Sequence, residues 1–222
     1  MNKHFAVLKT VPLFAGIAEQ ELGAVLDCLR CVEKQYDRQA WILRAGEPAT
    51  AIGILVRGRA HIIREEFTGE RTIVAELSPG EIFAEAFCCV REENDRRLPV
   101  SVVAAEESTA LLLDYQKILV NGTGACGFHH QLIANMMNVL AQKNILLNRK
   151  IGHLSKRTTR EKLLSYLSEQ ATLQTSRAFS IPFDRQALAD YLCVDRSAMS
   201  AVLSKLQEEG VLQFHKNEFE LL

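Results

Sequence analysis

Long hydrophobic runs are absent from this sequence. The longest apolar stretches, such as Ala51 to Val56 with its glycine, fall far short of the ~18 residues a membrane-spanning helix needs. The N-terminus, MNKHFAVLKTVPLF, lacks the sustained apolar core and small-residue cleavage site of a secretory signal. The cytoplasm is therefore the expected compartment, with no membrane association, and the six cysteines are expected as reduced thiols. A dominant charge is also lacking. Twenty-six basic residues against 27 acidic ones leave a net charge of −1, so overall charge selects no partner. A glycine-rich phosphate loop, a GxSxG elbow and an HExxH helix are all missing, and no catalytic residue is assigned.

What is present suits two compact domains: 222 residues, 48% of them hydrophobic, can bury ordinary cores. Charge is unevenly distributed. From Lys143 to Lys162 the bases are Lys143, Arg149, Lys150, Lys156, Arg157, Arg160 and Lys162, against Glu161 alone. Glu65 to Glu107 is acidic. A basic face for a polyanion and a merely solvated helix face both fit this asymmetry.

Leu22, Val25, Leu26 and Leu29 have helical spacing. From about Cys31 to Leu113 short β-type runs follow: Ala51–Val56, Arg59–Ile63, Thr72–Leu77, Val100–Ala104 and Ala110–Leu113. Gly and Pro break them at Gly46-Glu47-Pro48, Arg57-Gly58, Thr68-Gly69-Glu70 and Ser78-Pro79-Gly80, as turns require. Many short strands at this spacing predict a sandwich, jelly roll or barrel. From Phe128 to Ile151 the period is helical again. Ile133, Met137, Leu140, Asn144, Leu147 and Ile151 recur every three or four residues, the seam of a coiled coil with one polar member. A second stripe, Leu132, Met136, Val139 and Leu146, is available to pack on the β domain. One wide amphipathic helix buried within a single domain gives the same pattern.

Thr158 and Glu161 form a capping-box pattern after a break at Ser155 to Thr159, and Gln174 to Ala178 reads as a polar loop. The most specific stretch is FDRQALADYLCVDRSAMSAVLSKL, from Phe183 to Leu206. Asp184 is placed to cap a helix through Tyr191-Leu192, and Asp195 a second with Met199, Val202, Leu203 and Leu206 inward. Three residues separate them and small Ala189 marks a close crossing, which describes a helix-turn-helix. The second helix keeps small or polar residues on its outer face, as a helix entering the major groove needs. Gly210–Phe214 and Glu218–Leu221 then read as a hairpin wing. An αα-hairpin with no DNA role remains the plain alternative.

With these motifs in place, the chain from about Leu8 to Leu222 resembles the superfamily of cyclic-AMP receptor and fumarate–nitrate regulators. Matching blocks are VPLFAGI, AGEPATAIGILVRGRA, LSPGEIFAEAF, LPVSVVA and IPFDRQALADYLCVDRSAMSAVLSKL. The resemblance implies an α+β chain: a double-stranded β-helix (jelly-roll) sensing domain over 1–126, a dimerisation helix over 127–154, and a winged helix-turn-helix over 155–222. It implies a homodimer on palindromic duplex DNA, a small-molecule effector and RNA polymerase as partner. Base-reading positions fall on Arg196 and Ser197, with Ser200 one turn on and Lys205 beyond. Backbone-contact positions fall on Arg185 and Gln186. Two residues depart from the pattern: Cys193 stands where the turn usually has Gly, and Ala201 replaces a long polar residue.

For the effector, the resemblance sets Glu85 at a ribose-binding position, although a carboxylate capping backbone amides is an equal reading. Its phosphate positions fall on Leu98 and Pro99. Leu cannot neutralise a phosphate and Pro has no N–H to donate, so an effector other than cyclic AMP is expected, in a pocket edged by Phe83, Glu85, Phe87, Arg97 and Ser101. A shifted register would bring in Arg96 or Arg97 instead. Cys28, Cys31, Cys88, Cys89 and Cys126 do not converge in sequence as an iron–sulfur cluster requires. His129 and His130 diverge by ~100° on a helix, so no metal or cofactor is assigned. The alternatives are an enzyme on a cupin-like barrel, which lacks enough convergent ligands, and a winged-helix protein-interaction module.

Overall fold

The computed structural model describes residues 2–65, 71–90, 97–114 and 127–222. The chain divides into two compact units, Met1–Ala141 and Gln142–Leu222. That division falls inside one long helix, His129–Leu154.

The first unit opens with a short helix α1 (Phe5–Leu8), a 3-10 turn at Pro12–Phe14 and helix α2 (Glu19–Cys28). Glu21 accepts a bond from the Ala18 amide at the start of α2. The predicted stripe Leu22, Val25, Leu26 and Leu29 is fully buried. Eight strands follow: β1 Val32–Tyr36, β2 Trp41–Leu43, β3 Ile52–Arg57, β4 Ala60–Glu65, β5 Arg71–Leu77, β6 Ile82–Phe83, β7 Ser101–Ala104 and β8 Ser108–Leu113. They form two four-stranded sheets, ordered β1-β8-β3-β6 and β2-β7-β4-β5. Except for the β4–β5 hairpin, consecutive strands alternate between the sheets, which is the winding of a jelly roll. A tight turn at Gly58, with φ of +80°, joins β3 to β4. A Cβ there would meet the Glu107 carbonyl at 2.5 Å, so only glycine fits.

Two apolar clusters hold this unit. One fills the roll with Ile42, Leu55, Leu77, Phe83, Val102 and Ala110. The other joins the N-terminal helices to β3, β8 and the long helix, here α4, through Leu132, Met136 and Val139. Each such buried side chain contributes about 1.5–3 kcal/mol relative to exposure. A polar contact fixes where α4 sits: Asn135 donates to the carbonyls of Leu13 and Ala15 at 2.8 Å each and accepts from Gln131. The fourth member of the predicted packing stripe, Leu146, is 60% exposed. It lies more than a turn beyond Ala141, where the first unit ends.

In the second unit, α5 (Thr159–Leu173), α6 (Arg185–Leu192) and α7 (Arg196–Glu208) pack around Leu163, Leu167, Leu188, Met199 and Leu203. The Thr158–Glu161 capping box is formed in both directions. The expected loop ends in a strand: β9 (Ala178–Ser180) pairs with β11 (Glu218–Leu221), which pairs with β10 (Leu212–His215). Phe179 stacks on Phe219 at 6.1 Å, and that contact makes a strand of three residues too few to show a period of their own.

Candidate nucleic-acid interface

Capping places the two helices of the helix-turn-helix as the sequence suggests. Asp184 accepts from the Ala187 amide and Asp195 from the Ala198 amide, each at 2.8 Å, satisfying donors that a helix start leaves unpaired. Asp195 also accepts from the Ser197 hydroxyl, and these bonds hold its carboxyl below its ordinary value of 3.8. Cys193 adopts the left-handed conformation, φ 50° and ψ 57°, as its place in the turn predicts. A non-glycine residue there costs about 1 kcal/mol.

The buried side of α7 is Met199, Leu203 and Leu206, while Arg196, Ser197, Ala201, Ser204 and Lys205 are exposed. Ser200 is half-buried and donates to the Arg196 carbonyl at 2.9 Å. Beside Arg196 a groove of about 680 Å³ runs along Pro182, Phe183, Asp184, Arg185, Gln186, Lys216 and Asn217. Three cations therefore edge one groove at the helix starts and wing tip, which suits an anion. Besides Ser197 and Ser200, two more candidate contacts are engaged within the chain. The Arg185 guanidinium lies 4.8 Å from the Phe214 ring centre and 5.1 Å from that of Phe219, and burial lowers its pKa. Gln186 donates to Asp190 at 2.9 Å. Arg185 so couples α6 to the wing, a role that no sequence pattern reveals because the rings lie about thirty residues away.

Part of the basic run is engaged within the chain. Arg149 lies 3.4 Å from Glu169, Arg160 lies 2.6 Å from Glu209, and Lys150 stands over Tyr191. Nearby, buried His153 bonds to both Ser165 and Glu169 at 2.9 Å, and burial pushes the Tyr166 phenol up to about 12. These contacts anchor the last turns of α4 to α5. They take up part of the charge that the composition offered for a polyanion.

In the roll, a short helix α3 (Glu85–Cys88) follows β6. Ala84, just before it, has φ of +64°, and Glu85 is buried. Phe83 is buried in the interior, Phe87 half-buried against the other cluster, and Ser101 buried, accepting from the Ala45 amide at 2.8 Å. Leu98 is 4% exposed within the apolar core, and its backbone bonds to Gly46 and Glu47. Arg97 is exposed and donates to the Gly46 carbonyl at 2.8 Å. Leu98 rather than Arg97 thus faces inward. The Arg97 guanidinium is held at this turn; Arg96 lies outside the described residues.

Cys28, Cys31, Cys88 and Cys89 form no disulfide among the described residues, and burial pushes the Cys31 thiol up to about 11; Cys126 lies outside the described residues. Among the described residues no three His, Cys, Asp or Glu side chains gather as a metal site. His130 is exposed, and neither ring nitrogen of buried His129 has a hydrogen-bond partner among them. No described helix is long and apolar enough to cross a membrane.

Comparison with known proteins fits this geometry. Residues 33–120 match the cyclic nucleotide-binding domain, and residues 161–222 match the Crp-like helix-turn-helix domain. The chain belongs to the CRP/FNR superfamily. It is a Crp-like transcription regulator, with a cyclic nucleotide-binding domain followed by a DNA-binding helix-turn-helix. Among superfamily relatives, the cyclic AMP receptor protein of Thermus thermophilus is 25% identical over 93% of this chain and 90% of its own. The global nitrogen regulator of Synechococcus elongatus is 23% identical over 82% of both. The fold is shared with the c-di-GMP responsive regulator CLP of Xanthomonas campestris (TM-score 0.54, 17% identity, 90% of this chain and 98% of that one). It is also shared with a CooA variant from Carboxydothermus hydrogenoformans (TM-score 0.54, 18% identity, 89% and 85%).

Proposed function

We propose that this regulator works as a ligand-responsive homodimer in the cytoplasm, reading palindromic promoter sites with α7 and acting on RNA polymerase. One observation carries the reading: α7 is capped, apolar behind and exposed in front, with Arg196, Ser197 and Lys205 on its open side beside a groove edged by cations. Arg196 and Ser197, at its start, are placed for base edges. Ser200 and Lys205 follow along the same helix, and Arg185 and Gln186 flank it. Dimerisation through α4 is supported by Met137, Leu147 and Ile151, 67%, 60% and 61% exposed, an apolar stripe that a second copy would cover. Ile133 and Leu140 reach it from the edge, half-buried on their own core, and Asn144, bonded to Asn148, supplies its polar position.

The effector is a small molecule other than cyclic AMP. A buried cyclic phosphate needs a guanidinium and donors, or desolvation outweighs the contacts, and Leu98 occupies the inward position. Ala84 holds the left-handed conformation immediately before buried Glu85, strain of the kind that collects at binding sites. This supports a ligand-cassette role for Phe83, Glu85, Phe87 and Ser101, with Arg97 at its rim.

Selection from random-sequence duplexes by gel shift, run beside calorimetry with cyclic AMP, tests both parts. The expected results are an inverted repeat with half-sites one turn (~34 Å) apart and no heat of cyclic AMP binding at micromolar concentration. Failure to recover a palindrome would remove the DNA reading, and micromolar cyclic AMP binding the effector reading.

A further inference from the structure

The turn that carries α7 is built on a strained residue and two carbonyls at a helix end. At the C-terminus of α6, the Cys193 amide bonds to Asp190 and the Val194 amide to Ala189, closing a left-handed cap. The carbonyls of Leu192 and Cys193 are met from elsewhere: the Lys162 ammonium donates to both, at 3.3 and 3.5 Å. Lys162 lies in the first turn of α5, outside the helix-turn-helix. That turn is itself fixed by the capping box and by the Lys162 amide bonding to Thr158 at 3.0 Å. Arg160, in the same turn, pairs with Glu209 at the far end of α7.

We infer that Lys162 is a positioning residue for DNA reading: its ammonium on the Leu192 and Cys193 carbonyls fixes the turn from which the recognition helix departs. The physical basis is threefold. A cation at a helix C-terminus meets the negative end of the dipole, and a charged donor bonds a carbonyl about twice as strongly as a neutral one. The position it holds is also the one where Cys193 pays for a conformation that glycine adopts freely. Two residues later Asp195 caps α7, so a small change in backbone angles at Cys193 swings the whole recognition helix. Side chains must sit within a few tenths of an ångström to make bidentate contacts to bases. Phosphate contacts tolerate more.

The inference rests on the DNA-reading function, and its test separates the two. In the full-length protein, affinity is measured for the selected duplex and for a scrambled one across salt concentrations, and hydrogen exchange is followed at the Cys193 and Val194 amides. Lys162→Met is expected to weaken the selected duplex about tenfold, with scrambled binding and salt slope unchanged and faster exchange at both amides. Lys162→Arg restores wild-type behaviour. In a Cys193→Gly background the Lys162→Met penalty shrinks to about threefold or less, because the turn no longer holds strain. Equal loss on both duplexes with a salt slope smaller by about one would make Lys162 a phosphate contact and overturn the inference. So would unchanged amide exchange, which is read without DNA and therefore stands even if no operator is selected. Should Lys162→Met melt the domain, the Lys162→Gln variant, uncharged but still a donor, is expected to show the same pattern at reduced size; its absence overturns the inference.

Discussion

Replacing Gly53 by Ala tests how the roll is filled. An added Cβ would stand 2.0, 2.1 and 2.6 Å from three ring atoms of Phe83. Carbon atoms pack at about 3.5 Å or more, so the ring must retreat by roughly 1.5 Å. It has nowhere to go without moving Leu55, Val102, Ala104 or Ala110, all buried around it. Overpacking of this kind costs about 1–3 kcal/mol, or a melting temperature lower by about 2–12 °C for a unit of this size. The sign is the sharp part. In a strand interior with open space, Gly→Ala stabilises by about 0.5–1 kcal/mol. Urea and thermal unfolding of Gly53→Ala, Phe83→Leu and the double variant read the outcome. The double variant is expected to be more stable than the sum of the singles by over 1 kcal/mol. A Gly53→Ala protein at least as stable as wild type would refute the packing argument, and with it the picture of Phe83 as an interior wall of the roll.

Two further outcomes concern the helices α4 and α7. Leu147→Glu is expected to give monomers by sedimentation with a melting temperature within ~2 °C of wild-type monomer, because the residue is exposed within its own unit; a dimer of wild-type strength would place the interface elsewhere. The Asp195 carboxyl is depressed in the folded protein by the Ser197 and Ala198 bonds. Its contribution is therefore fully present above the ordinary value of 3.8 and lost only as pH falls through the lower folded value. A carboxyl titration followed by NMR is expected to give a midpoint below 3.8 for Asp195, and one at or above 3.8 would contradict the cap.

The helix-turn-helix was legible because its signals are local. Asp184 and Asp195 stand three residues before the amides they cap, and Thr158 three before Glu161. Such spacing survives any tertiary arrangement. What escaped depends on distant partners. Ala178–Ser180 is a strand only because β11 lies beside it. Heptad spacing says that α4 has two apolar faces but not where cover ends, so Leu146 read like Leu132. In the roll the turn residues were visible, while the burial of Leu98 and the exposure of Arg97 depend on backbone pairing with Gly46 and Glu47. Lys162 showed in the sequence only as one of a basic run, since its partners lie thirty residues away.

Base reading by α7 is the central claim, and Arg196→Ala measures it most directly. Affinities are compared for the selected duplex and for duplexes changed at each half-site position. The account predicts a loss of about 1–3 kcal/mol on the selected duplex, with base preference relaxed at one position per half-site and kept at the others. Uniform weakening on every duplex, with preference intact at all positions, would make Arg196 a phosphate contact and contradict it.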